Sequence, residues 1–163
     1  MSRTRPPVRT DRRLQGPLFE SPVFVLMQSG GLAMDWAGRA LEISGLSVTE
    51  YAALQLVRGD GGLSQGVVGT RLGLSRATVC RLAMELERRH LIDRVQDMFH
   101  PGRRSLYLTS TGANVLAEAT RALAPVEGRF RKAIGDDALR ALAEMPPRAL
   151  SPVELAIRAA GWG

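Results

Sequence analysis

The spacing of apolar residues predicts a mainly α-helical fold that carries one short β-hairpin. Three observations predict it. Apolar positions recur at i, i+3, i+4 and i+7 through most of the 163 residues. Helix-capping residues stand where those runs begin, at Ser47, Ser64 and Ser75, with Gly45 and Gly73 where runs end. Strand-like alternation is confined to Leu91–Thr109, around a polar loop holding Pro101-Gly102.

Each element follows in order. Residues 1–20 read as a disordered basic arm, with Pro6, Pro7 and Pro17 among many charges and little to bury. Ser21-Pro22 suits a helix start, with Ser as cap and Pro at the first helical position. Val23–Ile43 is the apolar body of that helix; Gly30-Gly31 predicts a kink there, or a close approach by another helix. Ser47-Val48-Thr49-Glu50 is a capping box opening a helix to about Arg58, with Tyr51, Leu54 and Val57 on one face. Gly59–Gly62 is a turn. A short helix runs from Ser64 to about Leu72, closed by Gly73. Ser75 caps the next, Arg76–Arg89, whose apolar stripe is Val79, Leu82, Ala83 and Leu86.

Leu91–Val95 and Ser105–Thr109 read as two strands, with Leu106 and Leu108 facing one way and Tyr107 the other. A long helix follows over Ser110–Ile134; Pro125 predicts a kink or a break near Ala122. Asp136–Met145 is a further helix stopped by Pro146-Pro147, and Ser151-Pro152-Val153-Glu154 opens a last one ending near Gly161. The unit from Ser64 to Thr109 (helix, tight turn, helix, strand, basic loop, strand) is a winged helix-turn-helix.

Charge points to a polyanionic partner. The formal charge is +6, and it is unevenly spread. Residues 1–20 carry a net +3, residues 64–108 a net +4, and the rest about −1. Positive charge held in one tail and one central block is the footprint of a nucleic-acid surface; a solvated basic face is the plainer alternative. The single cysteine, Cys80, excludes an intrachain disulfide and fits a reducing, cytoplasmic setting. No apolar run reaches the ~18 residues of a membrane span, and no apolar segment follows Met1–Arg13 as in a signal peptide. His90 and His100, with Cys80, lack metal-ligand spacing. No glycine-rich phosphate loop or nucleophile with a histidine partner is seen, so neither an enzyme nor a cofactor is expected.

A recognition helix must dock on its own domain by one face while its front residues enter the major groove. Off the apolar stripe, and nearest the helix start, stand Ser75, Arg76, Ala77 and Thr78, then Cys80 and Arg81. Arginine can pair bidentately with guanine, and Thr or Ala can meet a thymine methyl. Arg103 and Arg104 fall on the wing, where arginine enters a minor groove or grips the backbone. Arg88, Arg89 and Arg94 fall where phosphates are expected.

These segments resemble the MarR family of transcriptional regulators. Gly45-Leu46-Ser47-Val48-Thr49-Glu50-Tyr51-Ala52-Ala53-Leu54 is similar to its second-helix signature. Leu63-Ser64-Gln65, Leu72–Val79 and Leu86-Glu87-Arg88-Arg89 resemble its helix-turn-helix, and Arg103-Arg104, Leu108-Thr109 and Gly112 its wing end and fifth helix. The similarity spans roughly residues 22–145. It implies a homodimer joined through residues 21–46 and 110–163, flanking a DNA-binding lobe at 47–109. It implies recognition helices in successive major grooves of double-stranded DNA, about 34 Å apart. It also implies a repressor released by a small aromatic or phenolic ligand. The chain departs from the family at His90, where a glycine is usual, and in the wing, where a gap-free alignment puts His100 and Gly102 in place of an Asp and an Arg, and a shorter wing recovers Arg103 or Arg104 but still no Asp.

Other residues admit two readings. Cys80 suits a redox sensor on the DNA-facing side, or a small filler residue. Met27, Met34, Trp36 and Tyr51 suit a ligand pocket, or core and interface packing. The five arginines of the arm suit a minor-groove tail or a solubilising one. The rival to DNA binding is a winged-helix module that docks proteins.

Overall fold

The computed structural model describes residues 20–60, 62–96, 98 and 102–144. The expected arm, most of the wing loop with His100, and the last helix lie outside them. The described chain forms α1 (Pro22–Leu41), a 3-10 turn (Glu42–Ser44), α2 (Val48–Asp60), β1 (Leu63–Ser64), α3 (Gln65–Leu72), α4 (Arg76–Arg88), β2 (Ile92–Gln96), β3 (Arg104–Leu108), α5 (Ser110–Ile134) and α6 (Asp136–Glu144). These fall into two compact units, the first ending at Trp36 and the second starting at Ala37.

In the first unit α1 starts as its sequence dictates. The Ser21 carbonyl accepts from Val25 N at 3.0 Å and its hydroxyl from Phe24 N at 3.5 Å. The helix continues through Gly30-Gly31, and nothing lies within 4 Å of a Cβ built at either. Two glycines cost a helix only about 1 kcal/mol each, so the helix is not broken there. Val23, Met27, Leu32 and Met34 are exposed.

The second unit holds the core. Leu41, Leu54, Val57, Val68, Leu86, Ile92, Leu106 and Leu116 are fully buried in one cluster contributed by the end of α1, the helices α2 to α5, β2 and β3. The stripe of α4 docks as its spacing predicts: Val79, Ala83 and Leu86 are buried and Leu82 half-buried. The strands form an antiparallel sheet in the order β1-β3-β2, with Asp93 opposite Tyr107 and Arg94 opposite Leu106. β1 was not foreseen. Two residues cannot show an alternation, and Leu63 and Ser64 become a strand only by pairing with Leu106 and Ser105.

α5 continues through Pro125 without the break that was one of the two outcomes expected there. Pro125 and its neighbours Arg121 and Ala124 are exposed, so water can take the carbonyl the ring leaves unbonded. Ahead of it, buried Leu116, Ala119 and Leu123 anchor the helix. At its start Thr109 is the cap, accepting from Gly112 N at 2.9 Å and donating to the His90 carbonyl at 2.7 Å. A Cβ on Gly112 would overlap the Leu91 carbonyl oxygen, so only glycine lets α5 lie this close to the start of β2.

Candidate nucleic-acid interface

The helix-turn-helix is built by caps. Ser64 Oγ accepts from Val67 N at 3.4 Å to start α3. Gly73 ends it in the left-handed region (φ 65°), where a side chain would be strained, and Leu74 N donates back to the Gly69 carbonyl at 2.9 Å. Ser75 then caps α4: its Oγ accepts from Thr78 N at 3.2 Å and bonds Thr78 Oγ1 at 2.8 Å. Gly69 lets α3 cross close to α4, a Cβ there standing 3.1 Å from Val79 Cγ2.

At its far end α4 closes on His90, which takes φ 55°. His90 N donates to the Glu87 carbonyl at 2.8 Å and Leu91 N to the Leu86 carbonyl at 2.9 Å. That is a Schellman motif with histidine in the place that favours glycine.

The residues expected to read DNA differ in exposure. Ser75, Arg76, Ala77 and Arg81 are exposed, while Thr78 and Cys80 are half-buried. The hydroxyls of Ser75 and Thr78 already bond one another, so they reach a ligand only by sharing those bonds. Arg103 and Arg104 are exposed at the start of β3.

The eight arginines of residues 64–108 divide into two sets. Four are held by carboxylates. Arg71 pairs with Asp60 at 2.6 Å. Arg88 grips Glu85 with Nε at 2.9 Å and Nη2 at 2.6 Å, which holds the exposed Glu85 carboxyl below its ordinary value, chiefly by the hydrogen bond. Arg89 pairs with Glu50 at 3.0 Å, and Arg94 with Glu87 at 3.2 Å. The other four, Arg76, Arg81, Arg103 and Arg104, have no ion pair among the described residues.

Two expected phosphate contacts are therefore corrected. The Arg94 side chain is only 7% exposed, because β2 turns it inward beside Glu87. Arg89, 26% exposed, folds back on Glu50 and the Gly45 carbonyl. Charge counting along a sequence cannot see such pairs, whose partners lie up to 39 residues away.

Of the pocket candidates, Met27, Met34 and Trp36 are largely exposed. Tyr51 joins α2 to α5: its hydroxyl lies 3.4 Å from Thr120 Oγ1 and accepts from Gln55 Nε2 at 2.7 Å. Among the described residues no group of three or more His, Cys, Asp or Glu gathers to hold a metal. No described helix is long and apolar enough to cross a membrane.

Residues 44–97 match the model of the MarR family. No curated protein matches the chain. Among solved structures it is similar to a MarR-family transcriptional regulator from Rhodococcus sp. RHA1, at 25% identity and TM-score 0.72, over 80% of this chain and 92% of that one. The repressor CouR bound to a 23-mer DNA duplex is similar at 25% identity and TM-score 0.73, over 80% and 92%. CouR from Rhodococcus jostii RHA1 bound to p-coumaroyl-CoA shares the fold at 24% identity and TM-score 0.71, over 80% and 91%.

Proposed function

We propose that this chain, whose residues 44–97 match the model of the MarR family, is a sequence-specific DNA-binding transcriptional regulator that acts as a homodimeric repressor. One observation carries the proposal. The arginines left without carboxylate partners among the described residues of the central block are Arg76 and Arg81 on the outer face of α4, and Arg103 and Arg104 at the wing. Guanidinium groups that are exposed and unneutralised are the ones able to release counterions from a phosphate backbone or read a base edge.

Ser75, Arg76, Ala77, Thr78, Cys80 and Arg81 take the major groove in this scheme, and Arg103 and Arg104 the adjoining backbone or minor groove. The CouR repressor on its DNA duplex supports the choice of partner. Dimerisation falls to residues 21–46 and 110–163, a role supported by exposed Val23, Met27, Leu32 and Met34 on α1. A small phenolic ligand, of the kind p-coumaroyl-CoA provides to CouR, releases the DNA by favouring a state that binds it less well.

The test is fluorescence anisotropy with a labelled duplex from immediately upstream of the chain's own gene, beside a scrambled duplex, at two salt concentrations. Tighter, salt-dependent binding to the upstream duplex is expected. No binding to either, or a flat salt response, rejects DNA binding in favour of a protein-docking module.

A further inference from the structure

The C-terminal end of α4 is tied to two other elements through carboxylates. Arg89, just past the helix, donates Nη1 to Glu50 Oε1 at 3.0 Å and Nη2 to the Gly45 carbonyl at 2.9 Å. Glu50 Oε2 meanwhile accepts from Ser47 N at 2.7 Å, and Glu50 N donates to Ser47 Oγ at 3.2 Å. One carboxylate thus completes the capping box of α2 and holds the end of α4. Two residues back, Glu87 holds Arg94 of β2, whose Nε has no hydrogen-bond partner among the described residues. The Glu50 side chain is 13% and the Arg89 side chain 26% exposed, so the pair is partly shielded from solvent and its attraction is stronger than that of a fully exposed pair.

We propose that Glu50 and Arg89 are positioning residues for DNA binding: they set the tilt of α4 without touching nucleic acid, and Glu87–Arg94 is a second strut on the same helix end. The proposal rests on the DNA-binding function above. A helix of 13 residues is about 20 Å long, so a tilt of about 5° at one end moves the other by roughly 1.7 Å. That displacement exceeds what a hydrogen bond to a base edge tolerates. The exposed groups of α4 proposed to read bases stand at its N-terminal end, where such a tilt acts most strongly.

The sign of one substitution separates this role from simple electrostatics. Removing an acidic group by itself favours binding to a polyanion. A strut predicts the reverse. Glu50→Gln keeps a capping-box residue, since Gln serves as well as Glu at that position, but removes the ion pair. Arg89→Lys keeps the charge and loses the two-pronged grip.

The experiment is the same anisotropy titration with full-length variants, each checked by thermal melting. Both variants should bind the upstream duplex about tenfold more weakly, and Glu50→Gln/Arg89→Gln should be no weaker than the weaker single variant. The slope of log K against log salt should stay as in the wild type. Wild-type affinity in Glu50→Gln, or a gain, overturns the proposal. So does an Arg89→Lys variant that binds normally while Arg89→Gln lowers the salt slope by about 0.9, the mark of a phosphate contact. If Arg89→Lys melts below the assay temperature, Glu87→Gln tests the second strut with the same required sign. Failure of the wild-type chain to bind either duplex removes the function and this proposal together.

Discussion

At the scale of single residues, the partner each arginine finds decides its use. Arg76 is exposed on the first turn of α4 with no carboxylate partner among the described residues, so its guanidinium is available to a base edge. Arg76→Ala should weaken specific binding by roughly 1–3 kcal/mol and relax preference at one base pair. Competition with single-base variants of the duplex checks this, and equal loss on every sequence would reassign Arg76 to phosphate. Arg88 behaves differently, because Glu85 already neutralises it. The lowered Glu85 carboxyl means the pair's contribution is present above the ordinary carboxylate range and is lost as pH falls through the folded value. Melting wild type and Glu85→Gln from neutral to acid pH should show a small difference that closes in acid; small, because both groups face solvent.

At the scale of elements, α4 and the wing each carry a testable feature. His90 holds the left-handed turn that ends α4, at a cost of about 1 kcal/mol relative to glycine. His90→Gly should therefore raise the melting temperature by roughly 2–4 °C with DNA affinity unchanged. A lower melting temperature would show that the imidazole makes a stabilising contact. In the wing, Arg103→Ala and Arg104→Ala should each lower the salt slope of DNA binding by about 0.9. An unchanged slope in both removes the start of β3 from the interface.

At the scale of the whole molecule, exposed Val23, Met27 and Met34 on one side of α1 are the proposed contact with a second copy. Sedimentation equilibrium should give a dimer, and Met27→Glu should shift it toward monomer, since Met27 is 63% exposed and the change buries a charge only where a second copy packs. An unaltered dimer in Met27→Glu would move the interface to another part of the chain.

Local chemistry made much of this protein legible in its sequence. Caps at Ser47, Ser64 and Ser75, the stripe of α4, and the alternation of β3 depend on neighbours within a few residues, and the helices and strands follow from them. The same holds for Arg81, which helical periodicity puts opposite Val79 and Leu86, whereas Arg76 is exposed because it stands on the first turn of α4. Tertiary structure decided what distance along the chain conceals. Leu63-Ser64 became a strand because Leu106 was there to pair with it. Pro125 stayed within one helix because its carbonyl neighbour faces solvent. Arg89 and Arg94 are charges already paired because folding brought Glu50 and Glu87 beside them. A sequence fixes which residues carry charge, but an ion pair is a property of position in space, and only the packed fold brings both partners to one place.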